Sequence, residues 1–250
     1  MQKETLTEKK ASSPELVLTT IYDNRAMSEK LRADWGFSCL AETRGKRILF
    51  DTGASAKILQ SNMRELNVSP REIDAVFLSH DHWDHTGGLF WLLKENPKLE
   101  VFLLKSFPRE FKQKIKSIGA GFSEASVARG LFAGILSTGE LGQSIKEQSL
   151  LIDTGKGTVV ITGCSHPGIP EIIKTAKSIT GKEILLVIGG FHLLEKTEPE
   201  IKSVIGEFKE LGVKKAAPSH CTGEKAIELF KAEYGEGFIS NSAGKKIVIG

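Results

Sequence analysis

Three of the six histidines in this 250-residue chain fall within Ser79-His80-Asp81-His82-Trp83-Asp84-His85-Thr86-Gly87-Gly88. His80, His82, Asp84 and His85 place three imidazoles and one carboxylate within six residues. That nitrogen and oxygen donor set suits Zn²⁺, with Mn²⁺ or Fe²⁺ also accommodated. Neighbours on so short a loop project in different directions, so a single tetrahedral ion would not use all four. Two divalent metal ions are the economical solution, His80 and His82 taking one, Asp84 and His85 the other. Each ion then needs a distant histidine. His166, in Cys164-Ser165-His166-Pro167-Gly168, is assigned to the first and His220, after Pro218-Ser219, to the second. His192, in Gly189-Gly190-Phe191-His192, is left over and can serve either as a ligand or as a substrate contact. A lone histidine in a polar loop is usually a solvated or backbone-bonded group. The crowding here, with adjoining glycines and a buried strand before it, favours metal.

The elements that position these residues follow from periodicity. Apolar and β-branched runs predict strands at Leu16 to Tyr22, Ser38 to Glu42, Arg47 to Phe50, Ile73 to Leu78 and Val101 to Leu104. Ile58, Leu59, Met63 and Leu66 share a helical face, a Gly-Gly start gives way to an apolar helix over Thr86 to Glu95, and Phe111, Ile115 and Ile118 mark another ending at Gly119. In the second half, Ser149 to Ile152 and Thr158 to Thr162 form a predicted hairpin. A helix carrying Ile169, Ile172, Ile173 and Ala176 follows, then strands at Ile184 to Ile188, Lys214 to Ala217 and Lys246 to Ile249. Thr197 and Glu200 form a capping box for a helix burying Ile201, Val204, Ile205, Phe208 and Leu211, and Thr222 is placed to cap the next helix. The histidines sit where strands run out, which is where rigid scaffolds carry binding groups. Two sheets packed face to face, helices outside and a site along one edge, are therefore expected. No long low-complexity linker interrupts the chain, so residues 1–250 are read as one domain with a frayed polar start over residues 1–13.

Composition narrows the function classes. The net charge of +3, from 34 basic and 31 acidic residues, is spread along the chain. It forms no basic stripe of the kind nucleic acid attracts. No apolar run approaches the roughly 20 residues a membrane-spanning helix needs. Three cysteines, Cys39, Cys164 and Cys221, and no apolar leader point to a reducing, cytoplasmic setting without structural disulfides. The expected partner is a small molecule, with neither nucleic acid nor membrane; the oligomeric state is open.

Taken with Phe50-Asp51-Thr52-Gly53 upstream and histidines downstream, His80-x-His82-x-Asp84-His85 resembles the metallo-β-lactamase superfamily over nearly the whole chain. The resemblance implies an α+β fold, the four-layer αβ/βα sandwich. More narrowly, Tyr22-Asp23-Asn24, Leu49-Phe50-Asp51-Thr52-Gly53, Gly163-Cys164-Ser165-His166-Pro167-Gly168, Gly190-Phe191-His192-Leu193 and Ser219-His220-Cys221-Thr222-Gly223 are similar to a branch some of whose members are dihydropterin-aminobenzene-phosphate synthases of the methanopterin pathway. The resemblance makes Asp51 a support of the metal loop through hydrogen bonds, not a ligand. Asp23 and Asn24 are expected to contact substrate. Many hydrolases of the superfamily carry a bridging carboxylate as Gly-Asp after a late strand, where this chain has Gly163-Cys164 and Gly190-Phe191-His192. Three solutions stay open: a Cys164 thiolate in the metal shell, His192 as a further ligand, or ions bridged by water and Asp84 alone. Cys164 is otherwise a small buried group supporting the site, and Cys221 is packed inside.

The implied chemistry is that of paired ions that acidify a bound water and hold a substrate oxygen, with Asp84 accepting or relaying a proton and His192 close to the reacting group. Hydrolysis of a small phosphorylated or ester-like substrate is the first expectation. The alternative is a transferase in which the ions clamp a departing diphosphate; a non-catalytic metal-binding protein is a third, for which a split site with open positions is an odd device. An oxygen-reducing diiron relative would show Glu at the place of His82. An RNA-processing nuclease would carry a clamp insertion or basic exosite, a secreted β-lactamase an export signal, and a glyoxalase-like thioesterase the Gly-Asp.

Overall fold

Alternation of inward and outward side chains along short β-branched and aromatic strands gives the chain two sheets with one apolar interface between them. The computed structural model describes residues 15–250, and the expected polar start over residues 1–13 lies outside the described residues. The first half supplies β1 (Leu16–Tyr22), β2 (Ser38–Thr43), β3 (Lys46–Phe50), α1 (Ala56–Glu65), β4 (Ala75–Phe77), α2 (Trp83–Thr86), α3 (Leu89–Glu95), β5 (Glu100–Leu104), α4 (Arg109–Ser117) and β6 (Gly121–Ala125). The second half supplies β7 (Arg129–Phe132), β8 (Ile135–Ser137), β9 (Leu150–Thr154), β10 (Gly157–Thr162), α5 (Ile169–Thr180), β11 (Ile184–Gly190), α6 (Glu198–Glu210), β12 (Lys215–Ser219), α7 (Glu224–Tyr234) and β13 (Lys246–Ile249). The seven-stranded sheet runs β13-β1-β2-β3-β4-β5-β6, and the six-stranded sheet runs β12-β11-β10-β9-β8-β7.

Period-2 alternation decides which layer each side chain joins. Ile48, Phe50, Ala75 and Phe77 of the first sheet meet Ile152, Val159, Ile161 and Ile188 of the second in one buried cluster. Their alternates Leu49 and Val76 face outward onto Leu59 and Met63 of α1 and Leu92 and Leu93 of α3. Val160 and Val187 face outward onto Ile172 of α5, Phe208 of α6 and Phe230 of α7. Helix, sheet, sheet and helix thus form the four-layer sandwich that the sequence resemblance implied. Each fully buried Leu, Ile or Phe contributes roughly 1.5–3 kcal/mol. A one-residue slip of any central strand would turn its inner set outward.

Two features of the sheets position the site. β3 pairs in parallel with β4 in the first sheet, and β10, β11 and β12 are mutually parallel in the second. The carboxyl ends of these strands therefore lie along one edge, where loops carry ligands in α/β sheets. The apolar helix expected after the Gly-Gly start is α3, and Gly87-Gly88 separates it from the short α2, which was not expected from the sequence. A Cβ on Gly87 would lie 2.0 Å from the Ala54 carbonyl oxygen, and one on Gly88 2.5 Å from that of Thr52. This close approach presses the histidine loop against the segment after β3. The capping box of Thr197 and Glu200 forms at α6 as expected. Thr222 does not cap α7: the cap position is Gly223, and the Thr222 hydroxyl donates to the Ser219 carbonyl while accepting the Phe191 N–H. That hydroxyl ties the His192 loop to the His220 loop.

Candidate metal centre

The loops after β3, β4, β10, β11 and β12 deliver Asp51, His80 to His85, His166, His192 and His220 to the shared edge. Asp51, Ser165, His192 and His220 all have positive φ, between 51° and 66°. Such conformations are costly for residues other than glycine and cluster where surrounding structure imposes them at functional sites.

Two groups of potential ligands emerge within this edge. His80, His82 and His166 bring one ligand atom each to within 4.8 Å of one another, and so do Asp84, His85, Cys164 and His220. The groups adjoin, since the rings of His80 and His85 lie 4.3 Å apart between centroids. This is the division expected from the spacing, with Cys164 added to the second group. His192 stands at the margin, its ring 4.5 Å from that of His166, and forms a further group with Cys164 and Cys221.

Hydrogen bonds fix which ring nitrogen each histidine presents. Asp51 Oδ1 accepts the Ser79 N–H at 2.7 Å, while Oδ2 accepts the Ser79 hydroxyl at 2.7 Å and His85 Nδ1–H at 2.7 Å. The Ser79 hydroxyl proton being committed to Asp51, its oxygen accepts from His80 Nδ1–H at 2.8 Å. His220 Nδ1–H donates to Asn24 Oδ1 at 3.1 Å. In all three rings Nδ1 is engaged by a supporting group and Nε2 is left to face the site, the arrangement by which supporting groups orient metal-bound imidazoles.

These residues fit divalent cations on grounds internal to the structure. Nε2 of His220 lies 3.3 Å and Nε2 of His85 3.6 Å from Asp84 Oδ2. A carboxylate oxygen this close to two imidazole nitrogens is satisfied by protons on those nitrogens in the metal-free chain, and a divalent cation held among the same atoms would replace those protons. His166 Nε2 is buried without a hydrogen-bond partner, a costly condition unless the atom has a ligand. Burial, then the neighbouring His85, holds His80 well below the usual imidazole range, while burial and then His192 lower His166 to about 4, so both are neutral donors near pH 7. Against the burial that opposes its charge, Asp51 and then Asp84 push His85 up to about 9 in the metal-free chain. Against its own burial, the hydrogen bond of His220 and the charge of His85 hold Asp84 below the usual carboxylate range. A hydrogen bond with Cys221, then burial, raises the Cys164 thiol.

Asp23 and Asn24, expected to contact substrate, both bond to His220. Asp23 is fully buried, its Oδ1 accepting the His220 N–H at 2.9 Å, and burial pushes its carboxyl up to about 6 against the opposing charge of His220. Asn24 donates to the His220 carbonyl at 3.1 Å while its Oδ1 also accepts the Gly36 N–H. Both hold His220 in its left-handed conformation. Cys221 is buried, as expected.

Glu147 was not visible as a site residue in the sequence. It is 1% exposed. Its Oε1 accepts the N–H groups of Gly163, Cys164 and Ser165 at 2.9–3.1 Å, and Oε2 accepts that of His166 at 2.8 Å. Next to it, Gln148 donates its backbone N–H to the Ser79 carbonyl and its side-chain amide to that of Leu78. The dipeptide thereby joins the loop after β4 to the loop after β10, one from each sheet. No local motif betrays it: an isolated Glu-Gln pair in a polar stretch gives no periodic or spacing signal.

A cavity of about 600 Å³ opens beside the centre, lined by Trp35, His192, Leu194, Glu195, Lys196, Glu200 and Cys221. Its Trp35 ring lies 5.0 Å from that of His220. Volumes of this order accept a small organic ligand.

Comparison with known proteins agrees with this architecture. Residues 36–101 match the family described as the metallo-beta-lactamase superfamily. The chain is 33% identical over 280 aligned positions, 92% of its length and 95% of the relative's, to the 7,8-dihydropterin-6-methyl-4-(beta-D-ribofuranosyl)-aminobenzene-5'-phosphate synthase of Methanocaldococcus jannaschii. It is 31% identical to ribonuclease Z of Nanoarchaeum equitans, over 61% of this chain and 53% of that protein. Among solved structures, Tm1679, described as a metal-dependent hydrolase of the beta-lactamase superfamily, superimposes with a TM-score of 0.78 at 28% identity, covering 93% of this chain and 98% of the other. The chain belongs to the metallo-β-lactamase superfamily, in the branch that includes the archaeal synthase.

Proposed function

We propose that this protein is a di-metal enzyme acting on a small phosphorylated or ester-like substrate by hydrolase-type chemistry. The observation that carries the reading is the pair of adjoining ligand groups, His80, His82 and His166 beside Asp84, His85 and His220, with Nε2 of His80, His85 and His220 facing inward. When bound there, two divalent ions, zinc by preference or manganese or iron, would supply Lewis acidity and make water a nucleophile near neutral pH. Asp84, held ionised, accepts or relays the proton. His192, at the junction of His166 and the cavity, contacts the substrate's reacting group. The cavity wall of Trp35 and Leu194 receives a flat or apolar portion, and Lys196 is the basic group available to an anionic one.

A second reading, that of a transferase, is favoured by the 33% identity to the archaeal synthase. The same groups would then steady a diphosphate leaving group of a hydroxymethyl-dihydropterin diphosphate while an aryl carbon or amine attacks. The spread of the chain's charge and the size of the cavity support a small molecule as substrate over nucleic acid.

Elemental analysis of protein purified without added metal, followed by a substrate panel, tests both readings. Two ions per chain are expected, and one or none would reject the two-ion reading. Phosphodiesters, esters and lactones turned over with water alone support hydrolysis. Release of diphosphate only when an aryl acceptor is present supports the transferase. Asp84→Ala is expected to abolish turnover with the fold intact; full activity in that variant would reject its catalytic role.

A further inference from the structure

We infer that the Cys164 sulfur is the fourth protein ligand of the second metal position, completing a closed set with Asp84, His85 and His220. The inference rests on the di-metal reading and adds to it a ligand that the histidine spacing does not supply.

The geometry of the four ligand atoms carries it. Cys164 Sγ lies 3.2 Å from His85 Nε2 and 3.3 Å from His220 Nε2. Asp84 Oδ2 lies 3.6 Å from the first of those nitrogens and 3.3 Å from the second. A tetrahedral ion with nitrogen or oxygen at about 2.0–2.1 Å and sulfur at about 2.3 Å requires ligand-to-ligand edges of about 3.3–3.6 Å. Four of the six edges therefore already have tetrahedral lengths to within about 0.3 Å. A thiol packed merely as a small apolar group has no reason to lie within 3.3 Å of two imidazole nitrogens that also flank a carboxylate oxygen.

Cys39 shows what such packing looks like in this same chain. It is buried in the cluster between the sheets among Phe37, Phe50 and other apolar side chains. Cys164 belongs to none of the three apolar clusters of the described residues. Its backbone is also held independently of its side chain, because Glu147 accepts the N–H groups from Gly163 to His166. The loop is thus fixed with the sulfur aimed at the second group and His166 at the first.

Two consequences follow from the donor set. The thiol proton and any proton on the imidazole Nε2 atoms pass to solvent as the ion binds, leaving one thiolate, one carboxylate and two neutral imidazoles around a divalent cation. Thiolate softens the site, favouring zinc or iron(II) over manganese or magnesium. Four protein ligands close the second position, whereas His80, His82 and His166 leave the first open, as catalytic positions are. Water and substrate oxygen then meet at the three-histidine group, on the side of His192 and the cavity.

X-ray absorption at the zinc edge of the zinc-loaded wild-type protein tests this without any substitution. One sulfur scatterer per two zinc ions at about 2.3 Å is expected. Two bound zinc ions with nitrogen and oxygen scatterers only would overturn the inference while leaving the di-metal reading intact; failure to bind zinc at all would overturn both. Cobalt(II) provides the assignment. The wild-type protein is expected to show a sulfur-to-cobalt charge-transfer band that persists in Cys221→Ser and disappears in Cys164→Ser, with second-ion affinity lower by at least about tenfold. A band that survives in Cys164→Ser and is lost in Cys221→Ser would overturn the assignment.

Discussion

Glu147 illustrates how a single side chain can govern a site it does not enter. Its carboxylate is the acceptor for four successive backbone N–H groups, a concave arrangement that suits an anion. Burial raises its pKa, and the N–H groups of Ser165 and His166 offset only part of that shift. Removing the acceptor strands those donors, so Glu147→Ala is expected to cost at least about 3 kcal/mol in the denaturant unfolding of the metal-free protein. Glu147→Gln, which keeps one acceptor oxygen, should lose less. Equal stability of Glu147→Ala and wild type would show that the loop holds its shape unaided. Asn24 acts through His220 in a comparable way, accepting from Nδ1 and donating to the carbonyl. Asn24→Ala should weaken second-ion affinity about 10–100-fold in a metal titration. A raised KM with unchanged metal affinity would instead restore Asn24 to the substrate contacts first expected of it.

The break between α2 and α3 is the element-scale device that aims the histidine loop. Gly87 N–H bonds to the Gly53 carbonyl at 2.9 Å, and its Cα has no room for a methyl group against Ala54. Gly87→Ala must push the loop off the segment that carries Asp51, so a loss of at least about 2 kcal/mol and of bound metal is expected from thermal melts and elemental analysis. Thr197→Ala at the α6 capping box is the comparison. Its cost should be about 1 kcal/mol, with metal content unchanged. If both variants lost the same stability and both kept their metal, the glycine would be an ordinary turn residue. Gly189, where β11 passes β10, is constrained in the same manner, with φ of 127° and the Thr162 carbonyl oxygen 2.0 Å from a built Cβ.

For the whole molecule, the centre is a junction between the two sheets. His80, His82, Asp84 and His85 follow β4 of one sheet; His166 and His220 follow β10 and β12 of the other. An ion bound to both sets stabilises the folded chain over the unfolded one by RT ln(1 + [L]/Kd), about 4 kcal/mol at a thousandfold excess over Kd. Chelation is therefore expected to lower the melting temperature by several degrees, and readdition of zinc to restore it. An unchanged melting temperature after verified metal removal would show that the sheet interface alone holds the halves together. No helix of the described residues is long and apolar enough to cross a membrane.

Much of this was legible in the sequence because the responsible signals are local. Four ligands within six residues, strands of alternating polarity, and the Thr197 and Glu200 cap all depend on neighbours close in the chain. The resemblance in motif order extended that reading to the four-layer sandwich and to the supporting role of Asp51. The stretch from Gly121 to Ser137, which folds as β6, β7 and β8, was not read as strands, because glycines and exposed polar residues blur the alternation of edge strands. Only the tertiary structure could decide between the partners offered by distant loops. It turned Asp23 and Asn24 toward His220, drew Glu147 beneath the Gly163 to His166 loop, and set the Cys164 sulfur among Asp84, His85 and His220. The physical reason is common to all three. Side-chain type and spacing specify what chemistry a residue can perform, whereas the group it meets depends on which strand ends the packing of two sheets brings to the same edge.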